Sequence, residues 1–439
     1  MNDSLGPLGR RSVLLGAGIA AVPLLARAQS AAGNTQITVD RARTAPIPIA
    51  IPSLAGTPLG AQIADVISND LGRSGLFRPI GAAAQIGAND AGDTPNFQNW
   101  KAVGAQALVT GKVEGGGSNV RVEFRLWDVL PGQQIQGTAY TTTSTNWRRI
   151  AHIISDVIYE RLLGEKGYFD TRIVYVASSG PRVKRIKRLA IMDQDSENNR
   201  FLTDGSWLVL TPRFHPTRDQ IVYMSYYNNR PRVWTFDLGS GRQTVLGDFD
   251  GMTFAPRYAQ DGNTIIMSVA RGAGSDIVTV GTGGGRPRAL TNSGAIDTSP
   301  CYSPDGSQIV FNSDRGGDQQ LYIMGAGGGS ARRISYGKGR YATPVWSPRG
   351  DLIAFTRLGA EGFAIGVMRP DGSGERILSE SFDVEGPTFC PNGRVLMFFR
   401  EAAGGAGSRL VSIDITGFNE RVVPTPTDAS APAWSPLLA

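Results

Sequence analysis

Six times between residues 212 and 434 a proline is followed two residues later by an aromatic ring. The pairs are Pro212 and Phe214, Pro256 and Tyr258, Pro300 and Tyr302, Pro344 and Trp346, Pro387 and Phe389, and Pro432 and Trp434. They stand about 44 residues apart, the period of a four-stranded blade. After most anchors comes a Ser-Pro or Cys-Pro pair, at Ser303-Pro304, Ser347-Pro348, Cys390-Pro391 and Ser435-Pro436. A turn then follows at Asp261-Gly262, Asp305-Gly306, Arg349-Gly350 or Asn392-Gly393. Asp-Gly and Asn-Gly suit the positive φ values of a tight hairpin.

The strands inside each unit align. Second strands are expected at 220–225, 264–269, 308–313, 352–357 and 395–400, and third strands at 232–238, 276–280, 319–324, 363–368 and 409–415. Gly-rich turns lead to short fourth strands such as 287–291 and 375–378. Four short strands rich in β-branched and aromatic residues cannot bury a face alone, but stacked radially they can, as a β-propeller. Residues 172–177, 188–192 and 199–203 match a second, third and fourth strand with no Pro-x-aromatic strand before them. The last unit, 431–436, is only that missing strand. The C-terminal strand is therefore expected to complete the first of six blades and remove an open sheet edge.

A propeller of that size accounts for residues 172–439, with 166–171 as the join to what precedes it. Residues 41–165 are expected to form an α/β domain, 29–40 a flexible tail that the family resemblance described below makes partner-binding, and 1–28 an export signal. Arg10-Arg11 precede the apolar run 13–25, and Ala26-Arg27-Ala28 has the form of a cleavage site. That run is too short for a permanent membrane span, and no later stretch is long and apolar enough for one. The paired arginines lean toward twin-arginine export and leave the general secretory route open. The formal charge is +6. The leader holds Arg10, Arg11 and Arg27 against Asp3, so the remainder carries +4, too mild an excess to argue for nucleic acid. Cys301 and Cys390 stand on non-adjacent blades, beyond the reach of a disulfide, and are expected to be buried free thiols.

In the N-terminal domain, 36–40 and 47–51 read as extended. Thr57 is expected to cap a helix that has Pro58 at its first position, with Ile63, Val66, Ile67 and Leu71 as its apolar stripe and a stop near Gly72 and Gly75. Residues 77–80 read as extended and 96–106 as a short helix with Trp100 and Val103 inward. Strands are expected at 107–113, 120–129 and 134–142. Asn146 is expected to cap a last helix with the stripe Ile150, Ile153, Ile154, Val157, Ile158 and Leu162, ended by Gly164.

Candidate chemistry is sparse. The Gly-rich turns at 283–285 and 327–329 lead into strands, whereas a phosphate loop needs a following helix. No Gly-x-Ser-x-Gly occurs. His152 stands beside the apolar stripe of the last helix of its domain. His215 takes the place of Ser303 and Ser347 in the repeat, which reads as a structural turn residue, and histidines in different domains make neither a triad nor a metal site. Asp193, Asp195 and Glu197 resemble a fragment of a calcium loop but lack its glycine and terminal glutamate, and read as a solvated turn. No catalytic, cofactor-binding or metal-binding residue is therefore assigned. What remains is a binding surface: the loops before the inner-strand prolines (206–211, 249–255, 294–299, 338–343, 382–386 and 427–431) gather at one channel mouth, where a rigid scaffold presents them.

An export signal, an α/β domain containing the run Leu71-Gly72-Arg73-Ser74-Gly75-Leu76-Phe77, blades with Ser-Pro-Asp-Gly turns and the closing Pro432-Ala433-Trp434-Ser435-Pro436 together resemble the TolB family of the Tol–Pal system. The resemblance covers essentially the whole chain after the leader. It implies no catalysis. It implies a periplasmic interaction hub that binds the peptidoglycan-associated lipoprotein at the channel mouth and the inner-membrane protein TolA through the extreme N-terminus after the leader. Such a hub maintains outer-membrane integrity and supports constriction at cell division. The expected lipoprotein contacts are Met252, Thr253, Phe254, Ala255, Asp297, Thr298, Ser299, Arg340, Tyr341, Thr343, Asp383 and Glu385. The expected TolA contacts are Gln29, Ser30, Gln36, Ile37 and Val39. Where the family often has an acidic residue before the proline, Ser299 stands, and a histidine common in the preceding blade is replaced near Met252. A monomer with no cofactor, no nucleic acid and no membrane insertion is implied, with other envelope proteins as further partners. The rival readings are an exported propeller hydrolase or lactonase with a channel metal held by acids such as Asp250, Asp297, Asp383, Glu385 and Asp428, and a detached regulatory domain of a peptidase.

Overall fold

Alternation of β-branched and aromatic residues in short runs gives six sheets of four strands each. In the computed structural model, residues 45–85 and 94–438 are described, except 116, 361 and 406. The leader and the tail, with Gln29, Ser30, Gln36, Ile37 and Val39, lie outside the described residues.

The inner strands are Val209–Phe214, Met252–Tyr258, Asp297–Tyr302, Arg340–Trp346, Asp383–Phe389 and Asp428–Trp434. Each contacts the next, and the last contacts the first, so they form a closed ring around the channel. Closure occurs as the register implied: Asp428–Trp434 pairs antiparallel with Arg172–Ser179, placing Ala433 opposite Val174 and Trp434 opposite Ile173. The first blade therefore holds both the start and the end of the propeller. Strand bounds agree with the expected ones to within a few residues; Gln220–Ser225, Gln308–Ser313 and Phe363–Met368 coincide with them.

Every inner strand carries a bulge at the residue before its proline. The ladder shifts register between Phe254 and Arg257, and at the equivalent place in the other five blades. Thr211, Ala255, Ser299, Thr343 and Ala431 have φ of 47°, 49°, 55°, 46° and 49°, and Gly386 has 67°. A residue before proline is ordinarily extended, and positive φ costs a non-glycine residue about 1 kcal/mol or more. Five such residues at one repeat position mark a built feature that bends the strand as it reaches the channel mouth.

The N-terminal domain has a mixed sheet in the order Phe77–Pro79, Ile47–Ala50, Ala107–Glu114, Asn119–Asp128, Gln133–Thr143, with the first three parallel. Helices α1 (Leu59–Arg73) and α3 (Trp147–Leu163) pack together on one face. The short α2 (Phe97–Ala102) sets Trp100 in a small cluster with Leu108, Trp127 and Ala50. Neither Thr57 nor Asn146 caps as expected. Pro58 occupies the cap position of α1, where the Thr57 carbonyl accepts from the Gly60 amide at 2.9 Å. Asn146 has no capping bond and its amide turns to the Thr142 hydroxyl. Asn96 caps α2, accepting from the Gln98 amide at 3.2 Å, and Gly164 ends α3 at φ 73°.

The α/β part and the propeller share one core. Ile63, Ile67, Leu71, Ile154 and Ile158 of the two helices lie in the same buried cluster as Tyr175, Met192, Met397, Leu410 and Trp434 of the first and sixth blades. Within a blade, inner strands run from the mouth loops to the Ser-Pro turns, and third strands run to the third-to-fourth turns. Among the described residues, contacts from the α/β part reach only the latter end: Glu165 pairs with Arg349, the Lys166 carbonyl accepts from Asn392, and the Arg73 carbonyl accepts from Asn419 at 2.8 Å. The channel mouth is thus the face opposite the α/β part.

Candidate partner-binding face

Nine of the fourteen large apolar side chains that are exposed among the described residues sit in loops or at strand ends of that opposite face, including Val183, Trp207, Tyr227, Met252, Tyr336 and Phe382. Phe382 is 65% exposed and Tyr336 71%. The α/β side is covered by its own partner domain, so apolar exposure is concentrated where the chain leaves a face open. Trp207 and Tyr227 pack with ring centroids 5.0 Å apart, and Tyr227 continues onto Trp234 at 5.5 Å.

The residues expected to contact a partner divide into three groups. Met252 and Arg340 are exposed, and Phe254, Ala255, Thr298, Ser299, Thr343, Asp383 and Glu385 are half-buried along the bent inner strands. Thr253, Asp297 and Tyr341 are buried, which corrects their assignment to the docking surface. Alternation explains Thr253, because its neighbours Met252 and Phe254 point the other way from the same strand. Asp297 has a structural duty: both carboxylate oxygens accept from Arg315 Nη2 at 2.9 Å, and Oδ2 also accepts from Ser293. The Arg315 guanidinium in turn stacks over Phe311 and Tyr322 at 5.1 and 5.2 Å. Tyr341 turns inward to donate to Glu375 at 2.8 Å. The Thr343 hydroxyl pairs with that of Thr356 at 2.8 Å.

Acidic groups are concentrated at the sixth-blade edge of the mouth. Asp383 lies directly across the ladder from Glu401; partial burial, then Glu401, raises its carboxyl above the ordinary range. Burial, then Asp383, raises Glu385 likewise. Asp428 is neutralised by Arg185. A face that mixes exposed aromatics with partly desolvated carboxylates is suited to a protein partner.

A second polar centre lies where the α/β part meets the propeller. Asp70 of α1 is fully buried; it accepts from His152 Nδ1 of α3 at 2.7 Å, from Gln194 Nε2 at 2.8 Å and from Arg73 at 2.7 Å. Asp195 sits on the far side of His152, 3.7 Å from Nε2, and pairs with Arg148. The Asp193–Glu197 region is therefore not the solvated turn its composition indicated: Gln194 and Asp195 plug it into the helices. Asp70, His152 and Asp195 are a possible metal-ligand set by proximity. Their geometry fits an ion network better: one histidine nitrogen is already at hydrogen-bond distance from Asp70, and Arg148 holds a positive charge on Asp195. His215 accepts from the Thr217 and Arg218 amides through Nδ1 and donates to the Gly262 carbonyl through Nε2 at 2.9 Å, a structural turn residue as expected. Cys301 and Cys390 are buried and free.

Two family descriptions match the sequence, TolB amino-terminal domain over residues 35–135 and TolB beta propeller domain over 159–438. The chain is 60% identical over 448 aligned positions to the Tol-Pal system protein TolB of Gluconobacter oxydans (strain 621H), covering 99% of this chain and 97% of that one. This chain belongs to the TolB family. The crystal structure of TolB from Acinetobacter baumannii superposes with a TM-score of 0.81 at 27% identity, over 89% of this chain and 97% of that one. A chain of the crystal structure of a nidogen/laminin complex shares the fold alone, with a TM-score of 0.51 at 10% identity over 61% of this chain and 100% of that one. TolB is a non-catalytic envelope protein family of the Tol–Pal system, which removes the hydrolase and peptidase readings. Among the described residues no helix is long and apolar enough to cross a membrane.

Proposed function

We propose that the chain is exported to the periplasm, loses residues 1–28, and works there as a monomeric interaction hub. The channel-mouth face takes the peptidoglycan-associated lipoprotein, and residues 29–40, with Gln29, Ser30, Gln36, Ile37 and Val39, take TolA. The hub links the two membranes, keeps the outer membrane intact and helps it constrict at division. The observation that carries the reading is the gathering of exposed Trp, Tyr, Met and Phe side chains on the face opposite the α/β part, in a protein of the Tol–Pal family. Aromatic residues and Met are enriched in the cores of protein interfaces, and buried Trp and Tyr are among the anchors that carry most of the binding energy.

The direct test is calorimetry with the soluble domain of the same organism's peptidoglycan-associated lipoprotein. Met252→Glu and Thr298→Arg are expected to weaken binding tenfold or more, about 1.4 kcal/mol each, without moving the thermal transition. Unchanged affinity in both variants would remove the site assignment, and no heat at micromolar concentrations would remove the partner.

A further inference from the structure

The other end of the channel carries cations with no acid beside them. A cavity of about 350 Å³ opens there, walled by Phe214, Tyr258, Tyr302, Trp346, Phe389 and Trp434. Its lining contains Arg213 and Arg257 and no carboxylate. The two arginines hold the same repeat position, between proline and aromatic, on neighbouring inner strands; the other four blades place Cys301, Val345, Thr388 and Ala433 there. Neither guanidinium has a carboxylate within ion-pair distance among the described residues; Arg213 Nη1 finds only the Pro212 carbonyl, at 2.6 Å. Burial, then the neighbouring Arg257, depresses the Arg213 guanidinium well below its ordinary range, and only the Cys301 thiol acts the other way.

An arginine does not relieve such a conflict by losing its proton. Two cations sharing one aromatic-walled cavity need a counter-charge. We propose that this end of the channel is an anion site, in which Arg213 and Arg257 together hold a small oxyanion of the phosphate or carboxylate type. The guanidinium fork matches both chemistries with paired hydrogen bonds. The aromatic wall excludes water from those bonds and admits a ligand with an apolar body. The site faces the α/β part, away from the partner-binding mouth, so its occupancy is separable from lipoprotein binding.

The experiment is a pair of titrations of the full chain without its leader, with inorganic phosphate and with citrate, each at ionic strength fixed by sodium chloride. Thermal melting and calorimetry are the readouts. At least one oxyanion is expected to raise the melting temperature at millimolar concentration where chloride does not; the more effective probe identifies the chemistry. Arg213→Met and Arg257→Met should each weaken that anion tenfold or more, while Arg242→Met, on an exposed outer turn, should not. In anion-free buffer the Arg213→Met chain should melt above the parent, because the uncompensated charge is gone. Should the channel variants misfold, the arginine Nε–Hε resonances of the parent chain report the same event, with two signals moving on titration. No response to either anion, or an equal response in the Arg213→Met/Arg257→Met double variant, overturns the site.

Discussion

Replacing Trp434 tests how the ring, the join and the α/β part are held together. The side chain is 9% exposed, in the core shared by the two helices and the first and sixth blades. Its Nε1 donates to the Thr171 hydroxyl at 2.8 Å, and its ring meets Tyr168 edge-on at 5.8 Å. Trp434→Ala removes most of a side chain that buries about 200 Å², worth about 4 kcal/mol after allowing for the methyl group that remains. Losing the hydrogen bond and the edge contact adds about 1–2 kcal/mol, so the total is about 5–6 kcal/mol. Trp434→Phe keeps the ring contact and most of the area. It gives up only the hydrogen bond, and Thr171 still donates to the Tyr168 carbonyl at 2.7 Å, so the cost is about 1–2 kcal/mol. Urea unfolding followed by tryptophan fluorescence and by circular dichroism should show the midpoint falling, several times further for Ala than for Phe. The two probes should coincide, because one core serves both parts. A Phe variant as damaged as the Ala variant would show that the hydrogen bond, and not burial, fastens the strand. An Ala variant costing under about 2 kcal/mol would show that the ring is closed by something else.

Two further outcomes are expected. Arg315→Met leaves the Asp297 carboxylate buried with only Ser293 to answer its charge, and should cost about 3–5 kcal/mol in urea unfolding; a cost under about 1 kcal/mol would return Asp297 to the candidate surface residues. Between pH 5 and 8 stability should fall as pH rises. Burial lifts Asp156 to about 7, and His152, despite burial, is held above its ordinary range by Asp70. The stabilisation linked to a raised pKa is complete below the unfolded value and is lost as pH climbs through the folded one. Asp70 acts in the opposite sense: His152 chiefly overcomes its burial and lowers its pKa, so its contribution disappears only in acid, below about pH 4. Melting curves across that range check this, and a melting temperature rising steadily from pH 5 to 8 would contradict it.

The repeat was legible because each blade writes its pattern locally: an anchor proline, a hairpin turn and three apolar runs. Closure was legible because the first unit lacks the one strand that the last unit supplies. The bulges were not, since a residue before proline reads as extended and nothing at Thr211 or Ala255 announces positive φ. The site was only partly legible. Asp297 looks like any acid in a loop until Arg315, 18 residues on, is seen to meet it in the fold. Likewise the apolar stripe around His152 conceals that Asp70, 82 residues earlier, lies against the ring. The acids after Met192 read as a wet turn because their partners, Arg148 and His152, belong to another part of the chain. Sequence periodicity reports which face is buried, but not which charged group has been buried with it.

Ring closure also sets an order of events. The Arg172 amide finds its acceptor in the Ser435 hydroxyl, 263 residues later. The first blade to leave the ribosome is therefore the last to be finished. Until Asp428–Trp434 is released, Arg172–Ser179 presents a bare, apolar strand edge, of the kind that recruits other chains. Among the described residues the closing strand pair is also the most distant strand pair in sequence, so the search for it is slow. A chain cut short by a few residues is thus an open ring rather than a slightly smaller propeller, and its fate is decided by kinetics before thermodynamics applies.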